Sequence, residues 1–197
     1  MGQTEIVLNF IRQNHGQITI KEAEKAGVSK VTLYRLEKAN KITKIAPGVF
    51  IDPKEFGDEL AALQYRYSKG IFYKDTALFL HGMIDRTPEI YEMNFSISNS
   101  HAKFIDVPLK TYRQTNKLFQ IGTEEIISPG GHRVRTYNIE RTLCDILRKR
   151  DRSDAETIKQ AMNTYAKMNH KNLLRLSKYA KIFKVNDEIQ RYMGVLL

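Results

Sequence analysis

Apolar residues in the first fifty positions recur at helical spacing in short blocks, each bounded by residues that start or stop a helix. Ile6, Phe10 and Ile11 form one such block. Thr19-Ile20-Lys21-Glu22 then reads as a capping box, in which the Thr19 hydroxyl takes a free backbone N–H and Glu22 reaches back to the N-cap. The short helix it opens stops at Gly27, where a residue without Cβ lets the chain turn tightly. Val28 plugs that turn, and Ser29 caps a second helix running to about Ala39. Residues 42–45 and 49–51 flank Ala46-Pro47-Gly48, the pattern of two short strands and a turn. Together these elements predict a winged helix-turn-helix over residues 1–52, a module that lays its second helix in a DNA major groove.

Helical geometry says which side chains would meet DNA. At about 100° per residue, Leu33 and Leu36 share one face, with Ser29 and Thr32 nearby. Those leucines must pack inward, against Ile6, Phe10, Ile11 and Ala23. The opposite face carries Lys30, Val31, Tyr34, Arg35 and Lys38. Arg35 suits a bidentate contact to guanine and Val31 a thymine methyl. Lys30, Lys38, Lys41 and Lys44 suit phosphates, which set affinity and register. The same pattern also fits a solvated face on a small module that binds protein. A basic helix followed by a basic wing favours double-stranded DNA.

Residues 53–197 predict a second, mixed α+β domain ending in a helical bundle, so the fold class is α+β. Asp52-Pro53-Lys54-Glu55 is a helix start, with Asp52 as cap and Pro53 in the first helical position. Phe56, Leu60, Leu63 and Tyr67 follow at helical spacing. Asp75 is expected to cap a helix over 76–81 that stops at Gly82. Met93, Phe95 and Ile97 alternate with Asn94, Ser96 and Ser98, as in a half-buried strand. Strands are also expected over 117–128 and 132–137, turned by Pro129-Gly130-Gly131. From Asn138 the pattern is helical: Ile139, Leu143, Ile146 and Leu147 form one face. Ser153-Asp154-Ala155-Glu156 reads as a second capping box, and further helices fall around 171–180 and 185–193. With neither repeat nor low-complexity linker, the two domains are expected to dock closely.

Charge and composition narrow the partners. A net charge of +10 over 197 residues favours a polyanion, and 42% hydrophobic residues suffice for folded cores. Cys144 is the single cysteine, which excludes an intramolecular disulfide and a multi-cysteine zinc site. No apolar run is long enough to span a membrane, and no signal-peptide core is present. Ile6 stands where a myristoylation motif after Met1-Gly2 requires Ser or Thr. A cytoplasmic, nucleoid-associated protein without a membrane partner is expected.

Candidate chemistry is sparse. His81 and Asp85 lie four apart, but Gly82 intervenes and a third ligand is lacking, so a core hydrogen bond is the better reading. Glu124 and Glu125 fall on opposite faces of a strand. Residues 129–132 lack the Gly-Lys-Ser/Thr ending of a phosphate loop. No catalytic residues, metal or cofactor are expected, and the chain is not expected to be an enzyme. Arg148-Lys149-Arg150-Asp151-Arg152 is the densest basic cluster. It fits a helix C-terminus and solvated loop as well as it fits a nucleic-acid contact. Arg141 and Asp145, one helical turn apart, can pair. A structural pair holding the helix to the strands is favoured over contact with a target.

Four segments, in order along the chain, resemble the AbiEi antitoxins, the antitoxin and autorepressor half of the AbiE abortive-infection system. They are the winged helix with Gly27-Val28-Ser29 and Gly48-Val49-Phe50; the segment 73–82 ending in His81-Gly82; the Phe95 strand with Val107-Pro108 beyond it; and Tyr137-Asn138-Ile139-Glu140-Arg141-Thr142-Leu143-Cys144-Asp145. The resemblance implies a type IV toxin–antitoxin system, a nucleotidyltransferase toxin opposed without a stable complex, and an inverted-repeat operator. Within an antitoxin domain spanning 53–197, the Arg141–Asp145 pair and the basic residues Arg148, Lys149 and Arg150 are the candidate residues. The competing reading is a winged-helix regulator whose C-terminal domain senses a ligand or dimerises.

Overall fold

Val7 and Ile11, rather than Ile6 and Phe10, form the fully buried stripe of α1 (Gln3–Gln13) in the computed structural model, which describes residues 2–98, 108–149 and 152–196. Ile6 and Phe10 pack partly buried at the margin of the same cluster. The chain then forms β1 (Gln17–Thr19) and α2 (Ile20–Lys25). The capping box is complete: the Glu22 N–H donates to the Thr19 hydroxyl, and the Thr19 N–H donates to the Glu22 carboxylate at 2.8 Å. Gly27 turns the chain at φ +76°, in the left-handed region that favours glycine. Ser29 accepts the Thr32 N–H and opens α3 (Lys30–Lys38). The wing is β2 (Thr43–Ala46) and β3 (Val49–Ile51). The three strands run in the order β1-β3-β2, with Ile18 opposite Phe50. One cluster unites Val7, Ile11, Ile18, Leu33, Leu36 and Phe50.

The helix expected from Asp52 starts late. Asp52 accepts the Lys54 N–H at 2.9 Å and closes a single turn. Phe56 is then 100% exposed, and α4 (Glu59–Arg66) begins after Gly57 with Asp58 as its cap. Two caps compete here, and Gly57 is the poor helix former between them. Gln17 settles the matter by accepting the Asp58 N–H at 3.0 Å. Contacts divide the chain into two compact units, Met1–Ser68 with Ile127–Val134, and Lys69–Ile126 with Arg135–Leu197.

The second unit adds β4 (Ile71–Phe72), α5 (Lys74–Leu80), β5 (Tyr91–Ser96), β6 (Leu109–Gln114) and α6 (Asn116–Phe119). There follow β7 (Thr123–Ile127), β8 (Arg133–Tyr137), α7 (Ile139–Ile146), α8 (Ala155–Lys167), α9 (Leu173–Phe183) and α10 (Asn186–Leu196). The sheet order is β6-β5-β4-β8-β7; β5 runs antiparallel to β4 and parallel to β6, and β4 is parallel to β8. The C-terminal helices pack through Leu143, Ile146, Ile158, Met162, Tyr165 and Leu176.

Four local expectations are corrected. Tyr73, not Asp75, precedes the first residue of α5, and Asp75 instead accepts the Ser153 hydroxyl at 2.6 Å. Residues 117–119 are helical. β5 is buried on both faces, because Asn94 donates to the Tyr137 hydroxyl at 2.8 Å and Glu92 accepts the Tyr112 hydroxyl at 2.5 Å. A polar residue on an interior strand can be buried when a buried partner satisfies it. Finally, Asp154 rather than Ser153 caps α8, accepting both the N–H and the hydroxyl of Thr157.

Candidate nucleic-acid interface

Leu33 and Leu36 anchor the inner face of α3, so its outer face is fixed by their burial. Lys30, Val31, Tyr34, Arg35 and Lys38 are all exposed there, Val31 to 68% and Tyr34 to 37%. Lys41 is exposed beyond the helix and Lys44 on the wing. Tyr34 joins helix to wing: its ring meets Phe50 edge-on at 5.6 Å, and the Lys44 ammonium lies 5.4 Å from its centroid. The ring therefore has a packing role besides any contact it makes with DNA. Arg35 and Lys38 also lie in the last turn of α3, where the helix dipole favours them. The arrangement presents one planar guanidinium and four ammonium groups on a convex element, the charge pattern that phosphates and guanine edges require.

The same unit holds a buried polar cluster that sequence reasoning saw only as a turn. Asp58 accepts the Ser128 hydroxyl, and His132 Nδ1 lies 2.9 Å from the same Asp58 oxygen. Gly130 leaves no room for a Cβ, which would stand 2.6 Å from Asp58. Serine, histidine and aspartate are together here, but both side chains spend their hydrogen bonds on the carboxylate. Ser128 therefore has no base to take its proton, and the cluster is a staple.

The staple should tune stability with pH. Burial resists ionisation of Asp58, but hydrogen bonds from His132, Ser128 and the Ala61 N–H outweigh it and hold the carboxyl below its ordinary value. The hydrogen bond to Asp58 raises His132 above its ordinary 6.5 against the pull of burial. A raised histidine stabilises fully below its unfolded pKa and loses that stabilisation as pH rises through the folded value. A depressed aspartate stabilises above its unfolded value, near 3.8, and fails as pH falls through the folded one. The melting temperature of the chain minus that of His132→Gln should thus be largest between those two ordinary values and shrink towards pH 8. A difference independent of pH would contradict the pairing.

In the second unit, Arg141 is fully buried and makes four side-chain hydrogen bonds. Its Nε donates to Asp145 at 2.6 Å, Nη1 to the carbonyls of Leu118 and Ile121 at 2.7 and 2.8 Å, and Nη2 to Gln114 at 2.6 Å. The guanidinium lies 4.3 Å from the Tyr137 ring and 3.9 Å from that of Phe183. Tyr73 donates to Asp145 at 3.0 Å, so the segments 73–82 and 137–145 meet at this ion pair. Arg148 is partly exposed, Lys149 is exposed, and Arg150 lies outside the described residues. His81 donates to the Tyr137 carbonyl at 2.7 Å, while Asp85 accepts from Gln160. Burial pushes the Cys144 thiol well up, away from nucleophilic chemistry. Among the described residues no helix is long and apolar enough to cross a membrane.

Residues 5–51, from α1 to the end of the wing, match the profile of a family described as a transcriptional regulator, AbiEi antitoxin. Among solved structures, the RV2827C protein from Mycobacterium tuberculosis is similar over 98% of this chain and 80% of that one, with a TM-score of 0.58 and 11% identity. That likeness is one of fold. No curated protein matches the chain by sequence.

Proposed function

We propose that this chain, which carries the winged helix of the AbiEi antitoxin regulators at residues 5–51, is a type IV antitoxin that also represses its own promoter. Residues 1–52 read an inverted-repeat operator, and residues 53–197 oppose a nucleotidyltransferase toxin without holding it in a stable complex. The observation that carries the reading is the exposed basic face of α3, backed by buried leucines and continued onto the wing by Lys44 over Tyr34. A single winged helix has a small footprint, so two molecules on two half-sites suit an operator of this kind. A toxin gene immediately downstream of this one is the expected neighbourhood.

Titrations on the promoter duplex and on random duplexes test the DNA arm. Arg35→Ala should weaken promoter binding by about 1–3 kcal/mol and relax specificity. Lys44→Ala should weaken both duplexes alike and reduce the salt slope by about one. Promoter affinity unchanged by Arg35→Ala would remove that residue from the interface.

A further inference from the structure

We propose that a cleft beside the edge strand β6, in the second unit, binds a phosphorylated small molecule of nucleotide size. The cleft holds about 470 Å³. Its inner lining is buried and polar, from Tyr73, Gln114 and Asp145; its outer lining is cationic, from Lys110, Arg113 and Arg148. The proposal does not rest on the winged helix reading DNA.

The inner groups are already matched to one another. Gln114 donates to the Tyr73 hydroxyl at 3.1 Å, and Tyr73 donates to Asp145. Asp145 has its countercharge in Arg141 at 2.6 Å. Arg148 approaches the other Asp145 oxygen only to 3.7 Å, beyond a hydrogen bond, and its side chain is 36% exposed. It is a second cation on a carboxylate that needs one.

Lys110 is in the same position. It lies 4.0 Å from Glu92, whose carboxylate already accepts the Tyr112 hydroxyl and the Asp75 N–H. Lys110 and the buried Lys74 both stand close to the Tyr112 ring, at 5.1 and 5.2 Å from its centroid. Lys74 has φ +47°, a conformation that non-glycine residues keep only where the surroundings impose it. Lys110 and Arg148, both on the cleft lining, thus each reach only at long range a carboxylate that is already engaged. An anion in the cleft would give both a closer partner.

Shape selects among anions. The volume falls within the ~300–1,000 Å³ of small-molecule sites, far above what one phosphate fills. The cations converge on a concavity with an aromatic ring in its wall, whereas the α3 cations lie on a convex face suited to a duplex. Several phosphates joined to a planar group fit the cleft best.

The test is isothermal titration of the full chain with ATP, CTP and inorganic triphosphate, alongside a single-stranded oligonucleotide and polyglutamate. Nucleotide binding with a Kd on the order of 10–100 µM is expected. Lys110→Ala and Arg148→Ala should each weaken it about tenfold, since each removes a charge-assisted hydrogen bond. Arg35→Ala should leave it unchanged. Both cleft variants alter solvent-accessible side chains, and their melting curves should match the parent's; Arg148→Lys should retain part of the affinity. Absence of binding by either nucleotide up to about 5 mM would overturn the proposal. So would nucleotide affinity indifferent to both substitutions, or Lys110- and Arg148-dependent binding of the oligonucleotide or polyglutamate alone.

Discussion

Arg141→Ala is expected to unfold the second unit rather than to weaken one contact. The substitution leaves Asp145 buried without its principal countercharge, a change that costs about 3–5 kcal/mol. It also strips a partner from the carbonyls of Leu118 and Ile121 and from the Gln114 side chain, at about 1–3 kcal/mol for each group left unsatisfied. Domains of this size have about 5–15 kcal/mol in total. Lysine should not rescue it, because one ammonium cannot span four acceptors laid out for a planar fork. Gly122 adds to the constraint: its φ is +74°, and a Cβ at that position would stand 2.8 Å from the Arg141 side chain. Urea unfolding followed by circular dichroism would read the loss, and a cooperative transition within about 1 kcal/mol of the parent would contradict it. Loss of toxin protection by this variant would consequently report folding, and the surface residue Lys149 is the better probe of a direct role.

Signals confined to a few neighbouring residues were legible in the sequence. The Thr19–Glu22 box, the Gly27 turn, the Ser29 cap and the Leu33–Leu36 face depend on contacts within one or two turns, and all of them form. β1 was not legible: its three residues are all buried, show no alternation, and become a strand only by pairing with β3 far along the chain. Asp52 carried the local cap signal, but the helix opens at Asp58, whose N–H is held by Gln17 in a tertiary hydrogen bond that no local pattern marks. Arg141 with Asp145 was visible as a pair one turn apart. Its reach to Leu118, Ile121 and Gln114 was not, because no local pattern marks a guanidinium that binds carbonyls 20–27 residues away. The cleft was hidden for the same reason, being assembled from Tyr73, β6 and the end of α7.

Operator binding and protection from the toxin are expected to separate when Arg35 and Lys38 are both replaced by glutamate in the full chain. Both side chains are exposed on α3, so the change removes no core contact. The Arg35 reversal removes the guanine contact and the Lys38 reversal a phosphate contact, each setting a carboxylate against the polyanion, and about a hundredfold loss of promoter affinity at physiological salt is the expected scale. The buried cluster around Leu33 and Phe50 lies wholly within the first unit, and the cluster around Leu143 and Met162 wholly within the second. A surface change on α3 therefore leaves the packing of residues 69–126 and 135–197 in place. A promoter reporter should lose repression, while growth under toxin co-expression should remain protected at equal soluble protein levels. Protection lost together with repression, in a variant that melts like the parent, would mean that opposing the toxin works through DNA after all.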